Sequence, residues 1–263
     1  MMKKGKVFCS SDWHGTGYLA DKVFDFLKPD DTLYFLGDAI DRNPDGVKIF
    51  QALMDRPNTF YIKGNHDEMM ARCIPSLYKD NLYNDLDLSL WYSNGGSKTA
   101  SALECLSKED TYKIKKKIDT MPTELIYTSP AGHTVIMEHA GYTPFDIPHR
   151  SHDPLWDRDH FYDKWDNGFN KNELNPDTTY LVHGHTPVQY LKYTYGYEGQ
   201  EQLTKEEMKY KRIWYLDNAP VPAPTIIRYC DNHKFDVDMC TIVSNRIALL
   251  DLDTFEEIYF DGE

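Results

Sequence analysis

Apolar residues along this chain come in short runs, and most runs end in small or polar residues. "GKVFCSSD", residues 5–12, is apolar and β-type before it turns polar, which predicts a buried strand feeding a loop. Residues 19–27 carry apolar positions at helical spacing, and Pro29 stops them. "DTLYFLGD" (31–38) repeats the strand pattern and residues 45–54 the helical one. "NTFYIKGN" (58–65) is a third strand, with a helix starting in "HDEMMARC". The chain up to residue 73 therefore reads βαβαβ, with parallel strands joined by right-handed crossovers. In such sheets, sites lie at the carboxyl ends of the strands.

Residues 71–130 read as mainly helical. The clearest stretch is 107–121, where Ser107 can cap the helix and Asp110 lies three residues on. "HTVIMEHAG" (133–141) and "TTYLVHGH" (178–185) are further strands. Residues 234–260 read as several antiparallel strands, with turn signals at Ser-Asn and Asp-Thr. Residues 142–176 are rich in Pro, Asp, His and aromatics, and read as an ordered functional loop; its histidines, His149, His152 and His160, read as loop residues. Residues 192–224 are polar and Tyr-rich. These two loops are expected to shape access to any site. Neither a repeat nor a boundary interrupts the chain, so residues 1–263 are expected to form one domain.

The formal charge of −13 opposes nucleic acid as a partner, because phosphate backbones demand Lys and Arg. It leaves room for a phosphorylated substrate held by a few local cations. The five cysteines are odd in number, widely spaced and free of CxxC, which predicts reduced thiols. No signal-like segment opens the chain, and no run is long enough to span a membrane. A cytoplasmic location without a membrane partner is the expectation.

The polar residues fall in a regular place. "SDWHG", "GDAIDR", "GNHDE", "HAG" and "HGHTP" each follow an expected strand, and each offers Asp, Asn or His beside a glycine. Singly, each suits a capped turn or a satisfied core histidine. Together, at five strand ends of what reads as one sheet, they are a poor fit to turns alone. Carboxylate, imidazole and amide donors suit Mn²⁺, Fe or Zn²⁺. A carboxylate shared by two ions would set them about 3.5–4 Å apart, the spacing used in phosphoryl transfer. The cysteine pattern excludes a zinc finger.

With these motifs the sequence resembles the metallophosphoesterase superfamily, and within it the bacterial form of the phosphoprotein (serine/threonine) phosphatases. The pattern is D-x-H, G-D-x-x-D-R, G-N-H-[DE], H-[AG]-G and G-H-T, here "DWH", "GDAIDR", "GNHD", "HAG" and "GHT" in order. "WYSNGGSKT" is similar to the W-x-x-N-G-G-x-x-T segment of the bacterial members, and "DPLWDRDHF" to their L-W-x-R segment. One departure is Met239, where the family has Gly.

The resemblance implies an α/β fold, a calcineurin-like αββα sandwich with a dinuclear metal site at the strand carboxyl ends. It implies that Asp12 and His14 bind one ion, Asp38 bridges, and Asn65, His139 and one histidine of "HGHT" bind the second. The family form Gly-His-Thr points to His185, with His183 a neighbour. His66 becomes the general acid and Asp41 the residue that orients it. Arg42, Arg158 and Asn65 become the phosphate-binding groups. The cofactors implied are two divalent ions, Mn²⁺ first and Fe or Zn²⁺ as alternatives, which activate water for attack on a phosphomonoester. The substrate implied is a phosphorylated protein, at serine or threonine and also tyrosine, or a small phosphorylated molecule. A symmetrical dinucleoside tetraphosphate hydrolase shares the core motifs and is the nearest rival. Diesterases of the superfamily carry G-H-x-H, and Pro187 stands at that last position here. A non-catalytic scaffold would need lost ligands, and none is missing.

Overall fold

The computed structural model describes residues 5–79, 85–141, 153–158, 175, 177–188, 224–229 and 233–262. The expectations for the rest of the 142–176 and 192–224 loops, His149, His152 and His160 among them, lie outside these residues.

All four residues of β1 (Val7–Ser10) are buried, as a strand covered on both faces requires. It pairs in parallel with β2 (Thr32–Phe35), and β2 pairs in parallel with β3 (Thr59–Tyr61). The crossovers run through α1 (Gly17–Phe26) and α2 (Gly46–Asp55), the βαβαβ order the pattern predicts. A C-terminal hairpin, β9 (Arg246–Asp251) and β10 (Glu257–Asp261), completes this sheet antiparallel to β1, in the order β10-β9-β1-β2-β3.

A second sheet is built from β4 (Glu124–Thr128), β5 (Thr134–Glu138), β6 (Thr179–His183), β7 (Ile227–Tyr229) and β8 (Lys234–Asp236). Its order is β4-β5-β6-β8-β7, with a parallel centre and antiparallel edges. Three expectations change here. The five motifs end strands of two sheets, three on the first and two on the second. Residues 71–130 are helical only as far as α3 (Asn65–Leu77), α4 (Asp85–Ser93), α5 (Ser97–Glu104) and α6 (Lys108–Asp119), after which β4 forms. The 234–260 region is antiparallel at β9 and β10, whereas β8 runs parallel to β6.

The period of two along β1 explains the layers. Phe8, with Leu33 and Phe35, packs under the helices against Leu19, Val23, Ile49, Leu53 and Ile114. Val7 and Cys9 face the other way, against Val135, Met137, Val182 and Phe235 of the second sheet. Helices, sheet and sheet thus form three layers among the described residues, in the expected α/β arrangement. Among those residues no helix is long and apolar enough to cross a membrane. The strand ends of both sheets meet along the seam between them.

Candidate active site

Beyond β1 the chain turns sharply: Asp12 and His14 take φ values of 57° and 42°. Their backbone is tied to the next strand end, Asp12 N to Gly37 O (3.1 Å) and His14 N to Asp38 O (3.1 Å). Beyond β2, Asp38, Asp41 and Arg42 lie at 62°, 71° and 66°, and beyond β6 His185 lies at 66°. This left-handed region costs an L-residue roughly 1–2 kcal/mol, least for Asp, whose short side chain bonds locally. Its concentration at these strand ends is a mark of a functional site.

Asp38 is the centre. Its Oδ1 accepts from His66 N (3.0 Å). Its Oδ2 lies 3.5 Å from His139 Nε2 and 3.9 Å from both His14 Nε2 and His66 Nε2. Asp12 Oδ1 is 3.7 Å from His14 Nε2. Two buried donor groups share Asp38: one with His14 and His66, the other with Asp12 and His139. Asn65 Oδ1 sits between two imidazoles, 2.9 Å from His139 Nε2 and 3.1 Å from His185 Nδ1. Space for this comes from two glycines. A Cβ on Gly64 would lie 2.1 Å from Asp38 Oδ1, and one on Gly184 2.2 Å from Asp12 Oδ2.

The ring orientations suit ligands. His14 Nδ1 donates to Ile40 O (2.9 Å) and His139 Nδ1 to Leu36 O (2.6 Å), so each Nε2 faces the cluster. A neutral His139 would then aim a lone pair at the Asn65 amide oxygen, and a proton or a cation has to be shared there. The electrostatics carry the same demand. Burial pushes Asp38 up, but the His139, His66 and His14 rings around it outweigh burial and hold its carboxyl well below the usual range. Burial pushes Asp12 up. Burial pushes His139 down, but the Asp38 and Asp12 carboxylates overcome it and lift the ring to about 10. Burial, and then neighbouring positive charge, keeps His14 and His185 neutral. The buried His185 Nε2 has no hydrogen-bond partner among the described residues. Buried carboxylates, the neutral His14 and His185 rings and an amide oxygen fit divalent metal ions, which would take the place of the proton that Asp38 and Asp12 otherwise hold on His139.

His66 stands at the edge of this cluster. Its Nδ1 is 2.7 Å from Asp41 Oδ2, and its Nε2 is 3.3 Å from Arg42 Nη2. The family resemblance implied Asp12 and His14 for one ion and His66 outside the ligand set; the structure brings His66 within the same reach of Asp38 as His14. Arg158 reaches the β6 end from a separate segment, its Nε donating to Thr186 Oγ1 (3.1 Å), and Trp156 packs edge-on to the His185 ring. His183 is wholly buried, belongs to neither donor group, and places Nδ1 3.1 Å from Gly184 O. Burial lowers its pKa to about 3.

Several supporting residues escaped the sequence. Asp67 accepts from Tyr61 Oη (3.0 Å), Gly64 N (2.9 Å) and Asp38 N (3.1 Å), and so holds the "GNHD" turn against Asp38. The signal was an acid three residues after Gly64 at a helix start. Trp91 Nε1 donates to Asp41 Oδ2 (2.9 Å), and Thr241 Oγ1 donates to Asp12 O (3.1 Å). Trp91 opens the "WYSNGGSKT" segment, but nothing in local pattern gives its contact with Asp41, and nothing marks Thr241.

The profile of the calcineurin-like phosphoesterase family matches residues 5–215. No curated protein matches the sequence. Among solved structures, a putative diadenosine tetraphosphatase is similar at 16% identity and a TM-score of 0.56, covering 100% of this chain and 96% of its own. A protein serine/threonine phosphatase from Saccharomyces cerevisiae, similar to human phosphatase PP5, aligns at 13% identity and 0.55, covering 100% and 81%. A cold-active protein tyrosine phosphatase aligns at 15% identity and 0.53, covering 99% and 78%. At these identities the structures speak for the fold alone. The family match spans most of the chain, and the buried donors at its strand ends supply what such an enzyme needs. The chain therefore belongs to the calcineurin-like phosphoesterase family, whose members use divalent metal ions to hydrolyse phosphoesters.

Proposed function

We propose that the protein is a phosphomonoesterase acting on phosphorylated proteins at serine or threonine, with tyrosine also accepted. The observation that carries this is the placing of His66: its Nδ1 is fixed by Asp41, and its Nε2 lies between Asp38 and Arg42. That is where a proton donor must stand if phosphate sits between a metal site and a guanidinium. Asp12, His14 and Asp38 would hold one ion, and Asp38, Asn65, His139 and His185 a second, with Mn²⁺ the ion we favour. When bound, the ions supply Lewis acidity and activate water at neutral pH.

The chain's own residues do the rest. Arg42 and Arg158 grip phosphate oxygens, Arg42 through its planar fork. Asn65 presents its amide to the same oxygens. As the P–O bond breaks, His66 Nε2 gives its proton to the leaving oxygen, and the neutral ring keeps its Nδ1–H on Asp41. Pro187 occupies the place where a diesterase would add a histidine, which supports monoester chemistry. The single-domain reading is supported by the first sheet, which joins β1 to the C-terminal hairpin. The free Cys9, Cys73, Cys105 and Cys240 support a cytoplasmic location.

A panel of phosphoserine and phosphotyrosine peptides, p-nitrophenyl phosphate and a dinucleoside tetraphosphate, with Mn²⁺ supplied, tests the substrate class. Preferred turnover of the dinucleotide would replace protein phosphatase by the rival activity. His66→Asn should abolish most turnover of alkyl phosphates, by about 10²–10⁴-fold, with both ions retained. Loss of an ion in that variant would make His66 a ligand.

A further inference from the structure

The "WYSNGGSKT" segment has no role in the chemistry described so far, yet three of its residues close on Asp41 and Arg42, and a fourth, Gly96, supports Trp91. Trp91, on α4, is fully buried and its indole N–H donates to Asp41 Oδ2 (2.9 Å), the oxygen that also takes His66 Nδ1. Thr99, on α5, accepts from Asp41 N through Oγ1 (2.9 Å). Between the helices, Gly95 O accepts from Arg42 N (3.0 Å). Gly95 has a φ of +100°, and a Cβ there would lie 2.8 Å from Arg42 Cγ. Gly96 lies flat under the indole, where a Cβ would come within 2.5 Å of Trp91 Cε2.

Asp41 and Arg42 are also the adjacent pair held at positive φ. A backbone in that region persists only when its surroundings over-determine it. Here both backbone N–H groups and one carboxylate oxygen of the pair are taken by this one segment. The other oxygen, Asp41 Oδ1, has no hydrogen-bond partner among the described residues. With the indole N–H removed, nothing on the carboxylate selects which oxygen faces His66.

We propose that Trp91 and Thr99, with the Gly95-Gly96 corner, are positioning residues that clamp Asp41 and Arg42, and that the indole sets the His66 ring through their shared Asp41 oxygen. The proposal rests on His66 being the proton donor. It gives that donor a three-residue relay, Trp91 to Asp41 to His66, whose outer member lies on α4, 50 positions along the chain from Asp41.

The test is leaving-group dependence. An alkyl phosphate needs the proton; p-nitrophenyl phosphate, with its acidic leaving group, needs it little. Trp91→Phe should lower kcat on a phosphoserine peptide about tenfold, in the range seen when an outer partner of a site histidine is lost, with a much smaller fall on p-nitrophenyl phosphate. Metal content should match the unaltered protein. In the His66→Asn background the same change should cost nothing further, since the relay then ends on no donor. Thr99→Val should reproduce the selective loss and Thr99→Ser, which keeps the oxygen, should restore turnover. This second pair keeps the idea testable if Trp91→Phe folds poorly. An equal loss on both substrates, or full additivity with His66→Asn, would mean that Trp91 only packs, and would overturn the inference. If His66→Asn itself shows no leaving-group selectivity, the donor assignment is wrong and the inference falls with it. If His66→Asn is selective and both Trp91→Phe and Thr99→Val are not, the clamp alone is wrong.

Discussion

Arg42 combines two demands that pull against each other. In the proposed mechanism its guanidinium faces phosphate, while its backbone has to hold a φ of 66° that glycine would adopt freely. The usual ranking of substitutions should therefore invert: Arg42→Gly should be more stable than Arg42→Ala by about 1 kcal/mol, read from paired thermal melts. Both should lose phosphate affinity. Gly64 shows the reverse constraint. A methyl group there meets Asp38 Oδ1 at 2.1 Å and Asp38 N at 2.8 Å, so Gly64→Ala should displace the shared carboxylate and reduce bound metal. Asp38→Asn should reduce occupancy of both ions together; two ions and normal turnover in that variant would sink its bridging role. At this scale the donor types were legible, because five motifs of Asp, Asn and His beside glycine recur together at strand ends, which turns alone explain poorly. The choice between His183 and His185 was not legible from alternation. The strand stops at His183, and His185 leaves it at positive φ, so the two histidines do not share a strand face.

Helix α6 announced itself in sequence and formed nearly where its pattern ran. Ser107 Oγ accepts from Asp110 N (3.1 Å), Glu109 and Asp110 occupy the first turn, and Lys116 and Lys117 the last. Ser107→Ala should cost about 1 kcal/mol and lower Tm by a few degrees without altering kcat, because Ser107 is exposed and its cap bond stays within α6. Strand β4 was hidden by the same kind of evidence. It has five residues with alternate ones exposed, Ile126 among them at 55%, and an edge strand of that length carries little signal beside a long helical stretch. The α4–α5 corner was visible as "NGG" but not as a partner of Asp41, since contacts between residues 41 and 91 leave no local pattern. Cysteines sort by layer too. Cys105 is exposed on α5's end, whereas Cys9, Cys73 and Cys240 are buried. Burial raises Cys73 to about 12. An alkylating reagent should therefore label Cys105 and spare these three until the protein unfolds. Mass spectrometry of the labelled peptides would show it.

The whole molecule is where the sequence expectation needed most repair. Five motif-bearing strands looked like one sheet because a strand-end motif carries no label of the sheet it belongs to. The partition appears only in the pairing, β1 to β9 on one side and β6 to β8 on the other. It has an energetic consequence. Asp12, Asp38 and His139 are buried ionisable groups whose charges are balanced only imperfectly by one another. Ions that bind only the folded chain stabilise it by mass action, about 4 kcal/mol when free ion exceeds Kd a thousandfold. Chelation should therefore lower Tm well beyond the loss of activity alone, and Mn²⁺ should restore it. An unchanged Tm after verified metal removal would contradict the site as built.

Asp12 and His185 stand 173 positions apart in the chain and meet through the His185 N to Asp12 Oδ2 bond of 3.0 Å, one from each sheet. Donors on both sides of that seam mean that an ion there would act as a staple closing a very long loop, as a disulfide does elsewhere. In a chain whose described cysteines are all free, the reaction centre would double as its cross-link. Losing metal should then free one sheet from the other before either melts, with amide exchange rising first in β5 and β6 along the seam.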